Sequence, residues 1–205
     1  MTRHLATCPQ RGEAIAKAEQ GKGTAEPLYH LRVQDAYRGD FWLNLEMRGS
    51  KTLQDLDTYL RSIWLECCGH MSQFYGGGAF SNEVGKRRKV SDVFDYQGEL
   101  THVYDFGTSS ETTVKLVSIR EGKPLTSRPI SLMARNLMPA HECQECQKPA
   151  THLCMECVYE EDNSGLLCDD HTEGHPHHNY GDPLPLVNSP RLGMCGYNGP
   201  ADPPY

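Results

Sequence analysis

The chain has no apolar run approaching the roughly 18 residues that a membrane-spanning helix needs. Its opening, Met1-Thr2-Arg3-His4-Leu5-Ala6, leads into polar sequence without the apolar centre of a secretory signal. Positive charge is also short: 20 Lys and Arg stand against 27 Asp and Glu, a formal net charge of -7. Broad charge-driven binding to nucleic acid or to an anionic membrane needs a positive field, so this balance argues against both. Cysteine, by contrast, is plentiful, with nine in 205 residues. In a chain with no export signal, Cys-x2-Cys spacing points to thiolate metal ligands in a reducing, cytoplasmic compartment rather than to disulfides.

The length suits one medium domain with a small appended module. Residues 1–26 are rich in Gly, Lys, Glu and Ala, and a possible short helix over Glu13 to Gln20 has almost no apolar face, so this stretch is expected to be a flexible lead-in. From Leu28 the pattern becomes strict alternation, Tyr29, Leu31 and Val33, then Phe41, Leu43, Leu45 and Met47, about a turn at Arg38-Gly39-Asp40. That is a hairpin. Thr52 then caps a helix with Asp55 at the capping-box position, and Leu53, Leu56, Leu60, Ile63, Trp64 and Cys67 follow at steps of three and four. Tyr75-Gly76-Gly77-Gly78 breaks the pattern, and Lys86-Arg87-Arg88-Lys89 precedes a short apolar stretch from Val90 to Tyr96. Strands are expected around Leu100 to Phe106, Thr112 to Ile119 and Ile130 to Asn136. Residues 27–138 therefore read as an α+β domain with its main helix laid across a sheet. From Pro139 apolar residues thin out while Cys, His, Asp and Glu accumulate, which places a second domain at 139–181 and a Pro- and Gly-rich tail at 182–205.

The candidate ligands run Cys143-x2-Cys146, Cys154-x2-Cys157, Cys168-x2-His171, then His175, His177 and His178. Two residues between ligands let a tight turn aim both donors at one ion, and thiolate with imidazole suits tetrahedral zinc. Only Gln147 to Leu153 separate the first two knuckles, much shorter than the roughly 15 to 20 residues of a ribbon clamping a single zinc. Cross-bracing around two ions solves this. One site takes Cys143, Cys146, Cys168 and His171; the other takes Cys154, Cys157, His175 and either His178 or His177, with Cys195 a further contender for the eighth place. Both sites close on four protein ligands, so the zinc is expected to be structural and to supply much of the module's folding energy. His141 and His152 fall outside the knuckles and read as surface residues. The Val158 to Leu167 insert reads as an acidic loop.

This spacing, with Leu167-Cys168-Asp169-Asp170-His171 and the closing Gly174-His175, resembles the B-box type of zinc finger over about 36 residues. In that family the last two histidines usually stand at least two residues apart, which favours His178. The resemblance implies protein contact or self-association. The module's nine acids against one lysine, Lys148, likewise repel phosphate.

Upstream, Trp42, Thr52-Leu53-x2-Leu56, His70-Met71-x2-Phe74 and Tyr104-Asp105-Phe106-Gly107 are similar to the plasmid Ri open-reading-frame-three family, also described as transposon passenger proteins, over Tyr29 to Ile119. The family tends to have Arg after Trp42 and Asp and Trp after the Asp-Phe-Gly run, where this chain has Leu43, Thr108 and Ser110. The resemblance implies a compact β-grasp-like fold with no established reaction. Within it His70, His102 and Asp105 are the polar candidates for chemistry, Asp105 reading more naturally as a turn residue.

The favoured expectation is thus a non-enzymatic, zinc-binding interaction protein whose acidic finger docks a protein partner or a second copy. Two alternatives stand beside it: a nucleic-acid-associated factor linked to mobile elements that uses Lys86, Arg87, Arg88 and Lys89, and an enzyme around His70, His102 and Asp105.

Overall fold

The computed structural model describes residues 1–65 and 69–199. Cys67 and Cys68, read as one core and one surface thiol, and the tail from Pro200 onward lie outside the described residues.

The first nineteen residues, expected as a flexible lead-in, form two helices, α1 (Thr2–Thr7) and α2 (Pro9–Glu19). The lack of an apolar face is nonetheless real, because α1 buries only Leu5 and α2 buries nothing. Charge holds them down. Arg11 Nη2 lies 3.0 Å from Glu46 Oε2, Arg120 Nη2 approaches Glu46 Oε1 at 2.7 Å, and Glu19 accepts the Lys123 backbone N–H at 2.8 Å. Hydrophobic periodicity cannot register such a contact, since it rests on a carboxylate of the sheet meeting a distant guanidinium.

Strands β1 (Glu26–Asp35) and β2 (Trp42–Arg48) pair antiparallel with Val33 opposite Leu43 and Tyr29 opposite Met47. The turn between them is organised by Asp35, whose carboxylate accepts backbone N–H groups from Tyr37, Arg38, Gly39 and Asp40. Helix α3 (Leu53–Leu60) starts at the expected capping box: Thr52 Oγ1 accepts from Asp55 N, and Thr52 N donates to Asp55 Oδ2 at 2.8 Å. A π-helical turn, Arg61–Leu65, extends it. The Gly-rich break is the bend of a further hairpin, β3 (Ser72–Gly76) and β4 (Asn82–Val84), which the alternation rule did not reveal. The Val90 apolar stretch is a short helix, α4 (Val90–Phe94), followed by β5 (Glu99–Tyr104), β6 (Ser110–Gly122) and β7 (Ile130–Arg135).

These strands make one antiparallel sheet in the order β4-β3-β5-β6-β1-β2-β7. The apolar positions of β1 and β2 pack with Phe74, Leu100, Val114 and Ile130 against Leu53, Leu56, Leu60, Ile63 and Trp64 of the α3 segment, giving a single core. Trp64 is fully buried, whereas Trp42 lies at its edge with the Arg32 guanidinium 4.4 Å above the ring. The chain is therefore α+β, with a large antiparallel sheet and few helices.

Under the core sits a polar knot. Asp57, on α3, accepts hydrogen bonds from Ser72 Oγ at 2.6 Å and Lys86 Nζ at 2.9 Å, and meets His102 Nε2 at 2.8 Å. Burial alone would push the Asp57 carboxyl up, but the hydrogen bonds from His102, Ser72 and Lys86 outweigh it and hold it well below the usual carboxylate range. Burial pulls the His102 imidazole down against the pull of Asp57, so it stays neutral and donates from Nε2. Both pKa values are depressed in the folded chain, so both contributions are complete above the unfolded values and are lost as pH falls. Stability is expected to decline first below about pH 6.5, where an unfolded imidazole gains its proton, and again below about pH 4, where an unfolded carboxylate does. Urea midpoints taken from pH 8 to pH 4 check this; for His102→Gln the upper step is expected to shrink, leaving the part that the buried His30 contributes by the same cause.

The appended module contains β8 (His152–Leu153), α5 (Met155–Glu160), β9 (Leu166–Leu167) and α6 (Asp169–Thr172), and the tail adds β10 (Leu184–Pro185). Its sheet runs β10-β8-β9. Leu153, Met155 and Leu166 form a core too small to carry the module alone, even with Ala150, Val158, Leu184 and Leu186 against it. The insert expected as a loop is in part α5 and β9.

Candidate metal centre

Each knuckle is placed by a specific local device. Cys143 N donates to Lys148 O at 2.8 Å, closing the first turn around Cys146. Cys154 is the N-cap of α5, and its sulfur accepts the Cys157 N–H at 3.5 Å. Cys168 caps α6, which brings His171 back over it.

The side chains converge in two groups, Cys143, Cys146, Cys168 and His171 in one and Cys154, Cys157, His175 and His177 in the other, with all donor atoms of a group within 4.8 Å of one another. Zinc bonds of about 2.3 Å to sulfur and about 2.05 Å to nitrogen, at tetrahedral angles, require edges of about 3.8 Å between sulfurs and about 3.6 Å between sulfur and nitrogen. In the first group Cys146 and Cys168 sulfurs are 3.7 Å apart, and His171 Nδ1 is 3.5 Å from Cys143 and 3.3 Å from Cys168. In the second, His177 Nδ1 is 3.8 Å from Cys154 and 3.2 Å from Cys157, and His175 Nε2 is 3.4 Å from Cys157. These are edges of tetrahedra sized for zinc. The donor sets, three thiolates with one imidazole and two with two, fit the same metal, so the two clusters can hold two ions.

Burial tends to raise the Cys143 thiol, but N–H groups of Glu145, Cys168 and Cys146 and the His171 ring bring it down to about 6. Cys157 is pushed the other way, to about 12, by burial and by the neighbouring Cys154. A cation between the second pair of sulfurs removes that obstacle, because metal binding favours the deprotonated ligand.

The last ligand differs from the expected one. The structure turns His177 into the second group and leaves His178 69% exposed, with Nδ1 3.5 Å from Asp182. The chain after Gly174 bends at Pro176. The His175 and His177 rings meet edge to face with their centres 4.8 Å apart, while His178 faces outward. His177 Nε2 also lies 3.3 Å from Glu161 Oε1, the outer-shell carboxylate that fixes a ligating imidazole.

Gln144 had no sequence signal and ties the two sites together. Its Nε2 donates to Cys157 Sγ at 3.7 Å while its Oε1 accepts the Gly165 N–H at 2.8 Å. Gly165 (φ +69°) is required there: a Cβ would stand 2.5 Å from Cys154 O.

The remaining candidates are spread elsewhere. His152 meets Thr151 and Asp169, and His141 stacks over Phe41; neither joins a metal group. Cys195 is exposed, 3.4 Å from Arg191 Nη2. In the basic run, Lys86 is engaged by Asp57 and Ser72, Arg88 donates to Asp92 O, and Lys89 serves as the N-cap of α4. His102 is fully buried against Asp57, while His70 Nδ1 approaches Asp105 Oδ2 at 3.7 Å. Asp105 is a turn residue in the left-handed region (φ 64°), its Oδ1 accepting the Gly107 and Thr108 N–H groups.

No family model and no curated protein matches the chain. Among solved structures it is similar to a protein of unknown function from Methanosarcina mazei Go1, with 21% identity over 55% of this chain and 70% of that one and a TM-score of 0.46. No helix among the described residues is long and apolar enough to cross a membrane.

Proposed function

We propose that the chain is a non-enzymatic zinc protein of the cytoplasm, built from a β-grasp-like domain and a cross-braced, B-box-like finger, and that the finger docks a protein partner or a second copy. The observation that carries the reading is closure: each cluster offers four protein donors at tetrahedral spacing, leaving no coordination position for a reactive water. Such zinc shapes a surface rather than performing a reaction. Around it Glu145, Asp169, Asp170 and Glu173 are exposed, and Lys148 Nζ pairs with Asp170 at 2.6 Å. A surface of that sign repels phosphate and accepts lysine and arginine side chains. The engagement of Lys86 and Arg88 within the main domain weighs against the nucleic-acid alternative.

Light scattering of the full chain, and pull-down from lysate by the zinc-loaded and chelated forms, test this reading. Loss of the dimer or of a retained protein on chelation is expected. An unchanged mass with every retained protein kept would contradict the docking role, and a shift of labelled DNA or RNA at about 50 mM salt would favour the alternative.

A further inference from the structure

The tail does more than follow the finger. Strand β10 pairs with β8, and Leu186 N donates to Thr151 O at 2.8 Å, so the tail leaves the module attached to it. It then crosses to the main domain, where Ser189 Oγ donates to Trp64 O at 2.6 Å and Tyr197 Oη to Ser62 O at 3.1 Å. Leu192 packs against both hydrophobic cores at once.

Arg191 is the bolt of this crossing. It is 2% exposed; Nη2 holds Asp105 Oδ2 at 3.1 Å, while Nη1 donates to Thr108 O at 3.1 Å and Ser110 Oγ at 2.9 Å. Its guanidinium also stands 5.3 Å from the Tyr104 ring centre. The turn it grips carries a left-handed non-glycine residue, Asp105, a conformation that persists only where its surroundings over-determine it. From the other side Tyr159, on the helix capped by Cys154, brings its hydroxyl to 3.5 Å from Thr108 Oγ1 and 3.6 Å from Met194 Sδ. An unbroken set of contacts therefore runs from the second metal site through α5, Tyr159 and Thr108 to Arg191 and Asp105.

We propose that zinc at the Cys154, Cys157, His175 and His177 site is energetically linked to the Asp105–Thr108 turn, so that metal loss releases residues 186–197 and uncovers the Tyr104 side of the main domain. The proposal rests on the zinc reading, since a module too small to fold without metal loses the surface on which Leu186, Leu192 and Met194 lean. The metal state then selects which face of the sheet domain is available. Linkage is reciprocal: loosening the bolt must weaken zinc at that site.

Hydrogen exchange of the full chain with and without a zinc chelator tests the first half. Faster exchange is expected at 105–108 and 186–197, together with the finger, while the β1 and β6 amides stay protected. Zinc release with 105–108 unchanged, or with protection lost across the whole sheet, overturns the linkage and leaves the zinc reading standing. A protein that binds no zinc overturns both. Zinc competition against a chromophoric chelator tests the reciprocal half. Arg191→Gln is expected to weaken one of the two ions on the order of tenfold, and the half-exposed Tyr159→Phe, which leaves the bolt and the core in place, to shift the same ion in the same direction by less. Wild-type affinity in both variants overturns the proposal.

Discussion

Cys154→Ser is expected to remove one of two zinc ions per chain and to unfold the part of the finger around the second cluster, while leaving the first cluster and the seven-stranded sheet in place. Structural zinc supplies an apparent 10 to 16 kcal/mol, roughly, to modules of this size. Cys154 contributes twice, as a donor of the second cluster and as the α5 N-cap that accepts Cys157 N–H. A hydroxyl is a poor replacement for a thiolate. Losing even a third of about 12 kcal/mol weakens the ion about a thousandfold. The first cluster shares no ligand with the second; what connects them is Gln144, whose hydrogen bond to Cys157 Sγ loosens with the site. One zinc per chain after dialysis against a moderate chelator, with amide signals of 154–163 and 173–178 collapsed and those of 143–146, 166–171, β1, β2 and β6 kept, is the expected outcome. Two ions retained in an ordered finger would mean that Cys154 is not a ligand.

Arg191→Met is expected to cost about 3 kcal/mol, the lower end of the loss that follows when one partner of a buried ion pair is removed, because the Gly107 and Thr108 N–H groups still hold the Asp105 carboxylate. With total stabilities of about 5 to 15 kcal/mol, that is a fifth or more of what holds a typical domain together. The magnitude follows from full burial: the Arg191 side chain is 0% exposed and that of Asp105 8%. The pKa supports the pairing, since burial raises the Asp105 carboxyl while the Thr108 and Gly107 N–H groups, Arg191 and His70 together draw it below the usual carboxylate range. Combining Arg191→Met with Asp105→Asn should restore part of the loss, because no charge is then buried alone. Urea denaturation at pH 7 of the two single variants and the double reads this directly; additive losses would show that the two side chains do not depend on each other.

How much of this was legible depended on whether the stabilising contact is local in sequence. The β1–β2 hairpin and α3 are written in short-range code, alternation in one and a Thr52–Asp55 capping box in the other. The knuckles are legible for the same reason, since a thiolate three residues from its partner has few other uses. Arg191 carries no such code: it stands among Pro190 and Gly193 in a tail without periodicity, and its partners Asp105, Thr108 and Ser110 lie more than 80 residues away. Of the N-terminal helices only the stretch from Glu13 was legible, because Arg11 and Glu46 replace the apolar face that a pattern search needs. Between His178 and His177 a family spacing favoured His178, whereas the bend at Pro176 brings His177 to the cysteines, a turn of the backbone that ligand spacing does not encode. The β3–β4 hairpin escaped because Gly76, Gly77 and Gly78 read as a break when Gly76 closes its first strand and Gly77 and Gly78 open its bend.

Metal content of the full chain as purified, set against the same protein after strong chelation, tests the central claim most directly. Two zinc ions per chain, both removed together with the order of residues 141–178, is the result expected from two closed tetrahedra. A folded finger with no bound metal, its five knuckle cysteines reacting freely with a thiol reagent, would contradict it.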